Sequence, residues 1–261
     1  MDCFKAKQKT QKVMRPNIFR TLIFNFRAFG LRSAMKLPVY VYGRVKVYKM
    51  GCIELHGPIC RGMFRIGMNY TDTLFPYTVW NNMGTIEVHG RTWINHGCNV
   101  QNRGRIVFRG GDIISQACVL DIHDCLELGK NVSVGYGSEF IDSDIHYMMD
   151  VMSRKVLPNT RAIRIGAFNW LGSHTYVKKG TVTPDYTIVA SPNALLLKDY
   201  TQDLEPYSIL GGSPARVIGK GKCRIFNHQN EIMITSVLES KDSYEVDENV
   251  DLDEFCGFKK L

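Results

Sequence analysis

Two different hydrophobic patterns divide the chain. Between residues 15 and 32, apolar side chains recur at helical spacing with basic side chains between them. The apolar members are Ile18, Phe19, Leu22, Ile23, Phe26 and Phe29, and the basic ones are Arg15, Arg20, Arg27 and Arg32. Residues 1–38 are therefore predicted to form a basic amphipathic helical segment. Two interpretations stay open: a helix that caps the end of the main domain, or peripheral contact with a membrane through residues 15–32.

From residue 39 onward, short β-type segments that end in glycine replace the helical spacing. An apolar–x–apolar–x–Gly unit recurs at Ile53–Gly57, Ile86–Gly90 and Ile106–Gly110, and a shortened copy lies at Leu126–Gly129. Internal repeats of this kind are typical of folds that stack equivalent units on one another. The repeat therefore decides the predicted architecture.

A stricter repeat of six residues begins at Ile165. Its first positions are Ile165, Leu171, Val177, Thr183, Val189 and Leu195, of which five are Ile, Leu or Val. Its fifth positions are all small or polar: Asn169, Thr175, Thr181, Thr187 and Asn193. The same grid fits an earlier tract from Leu128 and gives His146 the next first position. Two tracts in one grid indicate a real structural period.

A period of six matches neither the 3.6 of an α-helix nor the simple alternation of a strand. A short strand followed by a turn has this length, and three such units close a triangular coil of about eighteen residues. One inward aliphatic per face then stacks on its equivalents in neighbouring coils. We predict an all-β parallel β-helix over residues 39–221, followed by a C-terminal extension over residues 222–261.

Composition fits a folded protein without a membrane span. Hydrophobic residues make up 44% of the chain and charged residues 22%, and no run of 18 apolar residues occurs. The eight cysteines form no CxxC pair, which argues against a zinc framework and favours reduced thiols. No signal peptide is predicted, because arginines interrupt the apolar segment near the N-terminus. The expected location is cytoplasmic, with the inner face of a membrane as the alternative.

Charge is unevenly distributed. Residues 239–254 hold eight acidic residues and one lysine, so the rest of the chain carries +15 of a total of +8. A basic body favours an anionic ligand. Because no nucleic-acid-binding motif accompanies it, no nucleic acid partner is expected. A phosphate-rich small molecule needs less of this charge.

Four blocks give the chain a close resemblance to the hexapeptide-repeat acyltransferases. They cover residues 140–146, 165–180, 195–199 and 207–219, in the order and spacing of that family. The chain looks most like the sugar O-acetyltransferases, including enzymes that modify capsule and surface polysaccharides. The resemblance implies a left-handed β-helix, acetyl-CoA as co-substrate, a sugar or polysaccharide-precursor acceptor and no metal. It also implies a homotrimer with the co-substrate between neighbouring subunits.

His146 lies where the first tract of hexads breaks off, before a segment over residues 147–164 that can build an acceptor pocket. In similar enzymes a histidine here takes the proton from the acceptor hydroxyl. In an extended strand Asp142, Asp144 and His146 would share one face, so that either carboxylate can orient the imidazole. The region around residues 67–85 is also expected to shape the acceptor site.

The resemblance assigns further residues to coenzyme A. Trp170 corresponds to a tryptophan along the pantetheine arm, and the backbone around Gly172 and Ser173 can serve the thioester or the cofactor. Ser191 occupies a small position in a hexad whose amides contact pantetheine, although Pro192 and an extra residue before Asp199 depart from the family pattern. The cationic candidates for the phosphates are Lys179, Lys198, Arg216 and Lys220.

Three other functions remain open on this repeat. N-acetylation of an amino sugar differs mainly in the acceptor pocket. A zinc enzyme of the carbonic-anhydrase type needs three histidines around the metal, and the seven histidines here show no paired ligand spacing. A non-catalytic scaffold is the third alternative.

Overall fold

The computed structural model describes residues 14–68, 75–202 and 204–258. Residues 1–13 of the predicted helical segment, and residues 69–74 of the region expected to shape the acceptor site, lie outside the described residues. The chain winds through three sheets of stacked parallel strands. The predicted fold class is confirmed: an all-β, left-handed parallel β-helix of hexapeptide repeats with a short N-terminal helical segment and a C-terminal extension.

The first sheet, sheet A, contains β1 (Val39–Val41), β4 (Phe64–Met68), β7 (Thr92–Asn95), β10 (Asp112–Ile114), β13 (Ser133–Val134), β18 (Trp170–Leu171), β21 (Ile188–Val189), β23 (Ile209–Gly211) and the antiparallel β24 (Arg216–Gly219). Sheet B contains β2 (Val45–Lys49), β5 (Thr78–Asn82), β8 (Asn99–Asn102), β11 (Val119–Ile122), β14 (Glu139–Ile141), β19 (Tyr176–Lys178) and β22 (Leu195–Leu196). Sheet C contains β3 (Cys52–Leu55), β6 (Thr85–Val88), β9 (Arg105–Phe108), β12 (Cys125–Leu128), β17 (Ile163–Ile165) and β20 (Val182–Thr183).

The remaining elements lie outside these sheets. They are a hairpin of β15 (Met149–Asp150) and β16 (Lys155–Val156), and the helices α1 (Ile18–Ala28), α2 (Leu31–Ala34), α3 (His228–Leu238) and α4 (Leu252–Cys256). None of the helices in the described part of the chain is long and apolar enough to cross a membrane.

The glycine-terminated repeat stacks as predicted. Ile53, Ile86, Ile106 and Leu126 are partners in consecutive strands of sheet C, and all four side chains are buried. Equivalent positions therefore form one continuous apolar column inside the coil.

The predicted coil length of eighteen residues holds only for the later coils. Trp170 pairs with Ile188, 18 residues on, whereas Thr92 pairs with Asp112, 20 residues on. The earlier coil at β7–β9 has strands of four residues, and the later coil at β18–β20 has strands of two or three. Longer strands widen each face, so that each turn of the coil takes more residues.

The predicted grid is wrong by one residue at its end. Leu196, not Leu195, pairs with Val177 and is buried, while Leu195 pairs with Tyr176 and is half-buried. Seven residues separate Val189 from Leu196, and the additional one lies in the intervening turn. A shift of one residue reverses which side chain faces inward.

One corner of the coil carries an aromatic stack. Phe168, Tyr186 and Tyr207 occupy it in successive coils with positive φ angles of 55°, 59° and 66°. Their ring centroids lie 5.3 and 5.0 Å apart along the stack. Phe226 and Phe258 from the C-terminal extension pack on it, with centroids 5.9 Å from Phe168 and 4.8 Å from Tyr186. These rings hold the extension against the coil.

Helix α1 covers the first coil, as the capping interpretation predicts. Asn25 is buried and exchanges side-chain hydrogen bonds with the backbone N–H and C=O of Val39, at 3.1 and 2.7 Å. Thr21 accepts from the N–H of Val41 at 3.1 Å. Phe24 meets Trp80 edge-on at 5.6 Å. The helix thus satisfies the backbone of edge strand β1, which would otherwise be open to pairing.

Asp112 is a buried carboxylate between two coils. It accepts hydrogen bonds from the N–H of Gly110 at 2.9 Å and of Val132 at 3.0 Å. Burial outweighs these bonds and raises the pKa of Asp112 from 3.8 to about 7.

Asp112 is expected to make stability depend on pH. Between pH 3.8 and about 7 the folded protein keeps a proton on Asp112 that the unfolded chain has lost. The contribution of Asp112 to the free energy of unfolding therefore falls as pH rises through that window, by at most about 1.4 kcal/mol per pH unit. Urea unfolding of wild type and Asp112→Asn at a series of pH values measures the difference. An Asp112→Asn protein with the full wild-type slope would contradict this assignment, and Asp242→Asn in the exposed C-terminal extension is the control.

Candidate active site

A loop leaves the coil between sheets B and C. The coil stops after Ile141 and resumes at Ile163, which pairs with Leu126. The loop therefore covers residues 142–162, and the predicted range 147–164 is too late at both ends. It carries the β15–β16 hairpin, and its base is closed by a bridge between Ser143 and Thr160.

His146 lies in the turn at the start of this loop. The predicted inward position is wrong, because the His146 side chain is exposed and the chain has already left the coil. The His146 N–H donates to the carbonyl of Asp144 at 2.6 Å, and Ile145 has a φ of 64°. Across the described ranges, no side chain makes a hydrogen bond with the His146 imidazole. Both ring nitrogens are thus open to a ligand.

Asp142 and Asp144 do not share a face with His146, contrary to the expectation from an extended strand. Asp142 is fully buried, and its carboxylate accepts from the N–H groups of His123, Asp124 and Cys125 at 2.7 to 2.8 Å. Burial raises the pKa of Asp142 even so. Asp142 therefore ties the start of the loop to the preceding coil and has no free oxygen aimed at the imidazole.

Asp144 instead pairs with Lys179. The Lys179 Nζ lies 2.5 Å from an Asp144 carboxylate oxygen and 3.4 Å from the carbonyl of Pro158. The Asp144 N–H donates to the carbonyl of Asn159 at 2.8 Å. The structure thus brings together one predicted catalytic residue and one predicted cofactor residue. Their contacts join both ends of the loop to the next coil.

Gly172, Ser173 and Ser191 meet at a different corner, between sheets A and B. The Ser191 hydroxyl donates to the carbonyl of Ser173 at 2.9 Å. A Cβ at Gly172 would lie 2.7 Å from the Cβ of Ser191, so this close approach of two coils requires glycine. None of the three makes a contact with His146 among the described residues. Within one chain, the predicted site is divided between two corners.

Trp170 faces outward on sheet A and is 41% exposed. The Arg224 guanidinium lies 5.5 Å from its ring centroid and 5.0 Å from that of Phe226. Burial lowers the pKa of Arg224. Sequence reasoning missed Arg224, because its proximity to Trp170 depends on how the C-terminal extension folds back. The alternating bases Lys220, Lys222 and Arg224 were the signal available.

The other predicted cations are distributed over the last coils. Lys198 follows β22 at the same corner as Lys179, one coil later, and its Nζ lies 5.4 Å from the ring of Tyr200. Arg216 is exposed at the start of β24. Lys220 pairs with Glu205 at 3.3 Å. Lys198 therefore lies near the loop, whereas Arg216 and Lys220 lie beyond the last strand of sheet A.

Two histidines without paired sequence spacing are brought together on sheet C. The rings of His56 and His89 stack at 4.2 Å, and their Nε2 atoms lie 3.8 and 3.4 Å from Glu87. Such a trio could hold a metal ion. Arg105, however, donates to both carboxylate oxygens of Glu87, at 2.5 and 3.0 Å, and lowers its pKa. Glu87 is thereby already engaged, and the trio makes no described contact with the loop at His146.

Solved structures of acyltransferases share this architecture at low sequence identity. The polySia-specific acetyltransferase NeuO is 12% identical, with 85% of this chain and 96% of that one covered and a TM-score of 0.44. An N-acyltransferase from Bacillus cereus, AntD, solved with dTDP and coenzyme A, is also 12% identical, with coverages of 82% and 99% and a TM-score of 0.44. A hexapeptide-repeat acetyltransferase from Vibrio cholerae, solved with acetyl-CoA, is 15% identical, with coverages of 78% and 85% and a TM-score of 0.35.

No protein-family model and no curated protein matches the chain. The resemblance drawn from the sequence is therefore matched at the level of the fold, by structures of hexapeptide-repeat acetyltransferases.

The two aspartates are expected to differ sharply in their effect on stability. Asp142→Ala leaves three backbone N–H groups without an acceptor, which should cost about 3 kcal/mol or more. Asp144→Ala removes one half-exposed ion pair and should cost about 1 kcal/mol or less. Chemical denaturation of both variants measures the difference. Equal losses of stability would show that the buried carboxylate does not hold the corner.

Proposed function

We propose that this chain is an acetyl-CoA-dependent O-acetyltransferase that acts on a sugar hydroxyl in surface or capsular polysaccharide biosynthesis. The observation that carries the proposal is the unpaired imidazole of His146 at the base of a loop that leaves the coil. The loop supplies walls for an acceptor, and the imidazole supplies a base at its edge. The reaction is expected in the cytoplasm, where acetyl-CoA would be used.

The proposed chemistry needs only one general base. His146 takes the proton of the acceptor hydroxyl while its oxygen attacks the thioester carbonyl carbon. The tetrahedral intermediate then breaks its C–S bond, and the imidazolium returns the proton to the departing thiolate. Imidazole suits both steps, because histidine can accept and release a proton near neutral pH. Backbone N–H groups near Ser173 are proposed to stabilise the oxyanion.

Asp144 is proposed as a positioning residue. Its carbonyl accepts from the His146 N–H, and its carboxylate is held by Lys179. The pair therefore anchors the turn that carries His146 to the following coil. Asp142 supports the same turn from the preceding coil through its three backbone hydrogen bonds.

Coenzyme A is proposed to lie along the outer surface near Trp170, Ser173 and Ser191. The exposed indole offers an apolar surface to the pantetheine arm, and the nearby Arg224 adds a cation for the phosphates. Lys198, Arg216 and Lys220 are the further cationic candidates. These residues fit an elongated ligand with an apolar middle and an anionic end.

A homotrimer would complete the site. The His146 loop and the Ser173–Ser191 pair lie at different corners of one chain, so a neighbouring subunit can supply the second half. The loop also exposes a set of apolar side chains that favour burial against a partner. They are Ile145, Tyr147, Met148, Met149, Val151, Met152, Val156 and Leu157.

The proposed assembly predicts a mass in solution of three chains of 29.7 kDa. Light scattering after size exclusion measures it at the enzyme concentration of the activity assay. Met152 is 91% exposed in the chain, so Met152→Glu should weaken the trimer without unfolding the subunit. A wild-type monomer that turns over acetyl-CoA would contradict the shared site.

Loss of the base is expected to reduce turnover strongly. His146→Ala should lower kcat by about 10²- to 10⁴-fold with little change in KM for acetyl-CoA, because it removes proton transfer and not cofactor contacts. Thiol release from acetyl-CoA measures it against a panel of sugars, amino sugars, nucleotide sugars and oligosaccharides. The control is His228→Ala, whose side chain is 82% exposed at the start of α3. Equal turnover of wild type and His146→Ala would remove His146 as the base, and acetylation of amines only would favour N-acetylation.

A further inference from the structure

Helix α1 presents an apolar face that the fold leaves uncovered. Thr21, Phe24 and Asn25 face the β-helix and are buried. The opposite side exposes large apolar side chains: Ile18 (71%), Phe19 (79%), Leu22 (37%), Ile23 (57%) and Phe26 (44%). At 3.6 residues per turn these five positions fall within an arc of about 140°. Leu31 and Met35 extend the same exposed apolar set past the end of the helix, at 71% and 65%.

The charge around this face has a single sign. Residues 14–53 contain no acidic residue and eight basic ones. They are Arg15, Arg20, Arg27, Arg32, Lys36, Arg44, Lys46 and Lys49. Arg20 and Arg27 border the apolar arc along one side of the helix. A second copy of this chain is a poor occupant for the face, because two such surfaces would bring like charges together.

A groove beside the helix combines both features. It has a volume of about 210 Å³ and lies between α1 and strand β2. Arg20 and Arg27 stand at it, and its apolar walls include Ile23, Val45 and Met50. The Arg20 guanidinium is fixed by a hydrogen bond of 2.9 Å to the carbonyl of Gly43. This arrangement offers cations to a phosphate group and apolar walls to the methylenes attached to it.

We propose that α1 and the segment through Met35 bind the surface of a membrane that contains anionic phospholipids. The apolar arc enters the boundary between headgroups and acyl chains, and the basic residues contact the phosphates. The inner side of the helix stays hydrogen-bonded to β1, so binding requires no unfolding of the cap. The proposal is independent of acetyl transfer, because it involves neither His146 nor the residues near Trp170.

Vesicle sedimentation with the full chain tests this proposal. Binding should be strong to phosphatidylcholine vesicles with about 30% phosphatidylglycerol, weak to phosphatidylcholine alone, and reduced by salt. Ile23→Ser should weaken binding by about tenfold or more, because it removes a side chain that enters the bilayer. The matched control is Ile232→Ser on α3, since Ile232 is 55% exposed and Ile23 is 57% exposed. Arg27→Glu should also weaken binding about tenfold, whereas Lys241→Glu, with the same change of charge, should not.

Two outcomes would overturn the proposal: equal binding to both kinds of vesicle, or wild-type binding by Ile23→Ser. A third would be a smaller particle mass for Ile23→Ser in the absence of lipid, which would assign the face to a contact between subunits. Thermal unfolding of Ile23→Ser and Ile232→Ser checks that both remain folded. Thiol release with a soluble acceptor should be unchanged in Ile23→Ser, which separates this test from that of the active site.

Discussion

The structure depends on the stacking of each coil on the next in strict register. Every strand in the middle of a sheet pairs with strands of the coils before and after it, and the inward side chains follow that register. The column from Ile53 to Leu126 shows the result, since each buried aliphatic is worth about 1.5 to 3 kcal/mol only while its neighbours are in place. The ends of the stack are the exposed steps. Helix α1 covers the first one, and β24 and the C-terminal extension cover the last.

The same register permits a loop to leave the coil without disturbing it. Leu126 pairs with Ile163 and Ser133 with Trp170, each 37 residues apart, yet both contacts continue the sheets on either side. The corner at the exit is held by Asp142 from below and by the Asp144–Lys179 pair from above. The turn that carries His146 is therefore clamped between two coils, whereas the hairpin beyond it is free to project. A fixed base beside a variable wall is a suitable arrangement for catalysis on one acceptor among many.

Much of the coil could be predicted from the sequence, because its information is periodic and local. The buried first positions from Leu128 to Val189 follow from a count of sixes, with Thr183 as the polar exception. The failures have a common cause, which is a change of length between repeats. The extra residue before Leu196 moved the inward position by one, and the exit of the chain after Ile141 removed His146 from the grid. Asp142 was misjudged because alternation along a strand stops where the strand stops. The contacts Arg224–Trp170 and His56–His89 join residues 54 and 33 positions apart, and no local pattern reports them.

The closed exit of the loop has a consequence for how such a chain can change over time. Insertions or deletions between Ser143 and Thr160 alter neither the register of the coil nor the columns that stabilise it, because the bridge between these two residues closes the loop beneath them. Length and composition can drift there while the fold is preserved. The β-helix thus separates heritable variation in one segment from the constraint on the rest, and a new acceptor preference could arise by exchange of that segment alone.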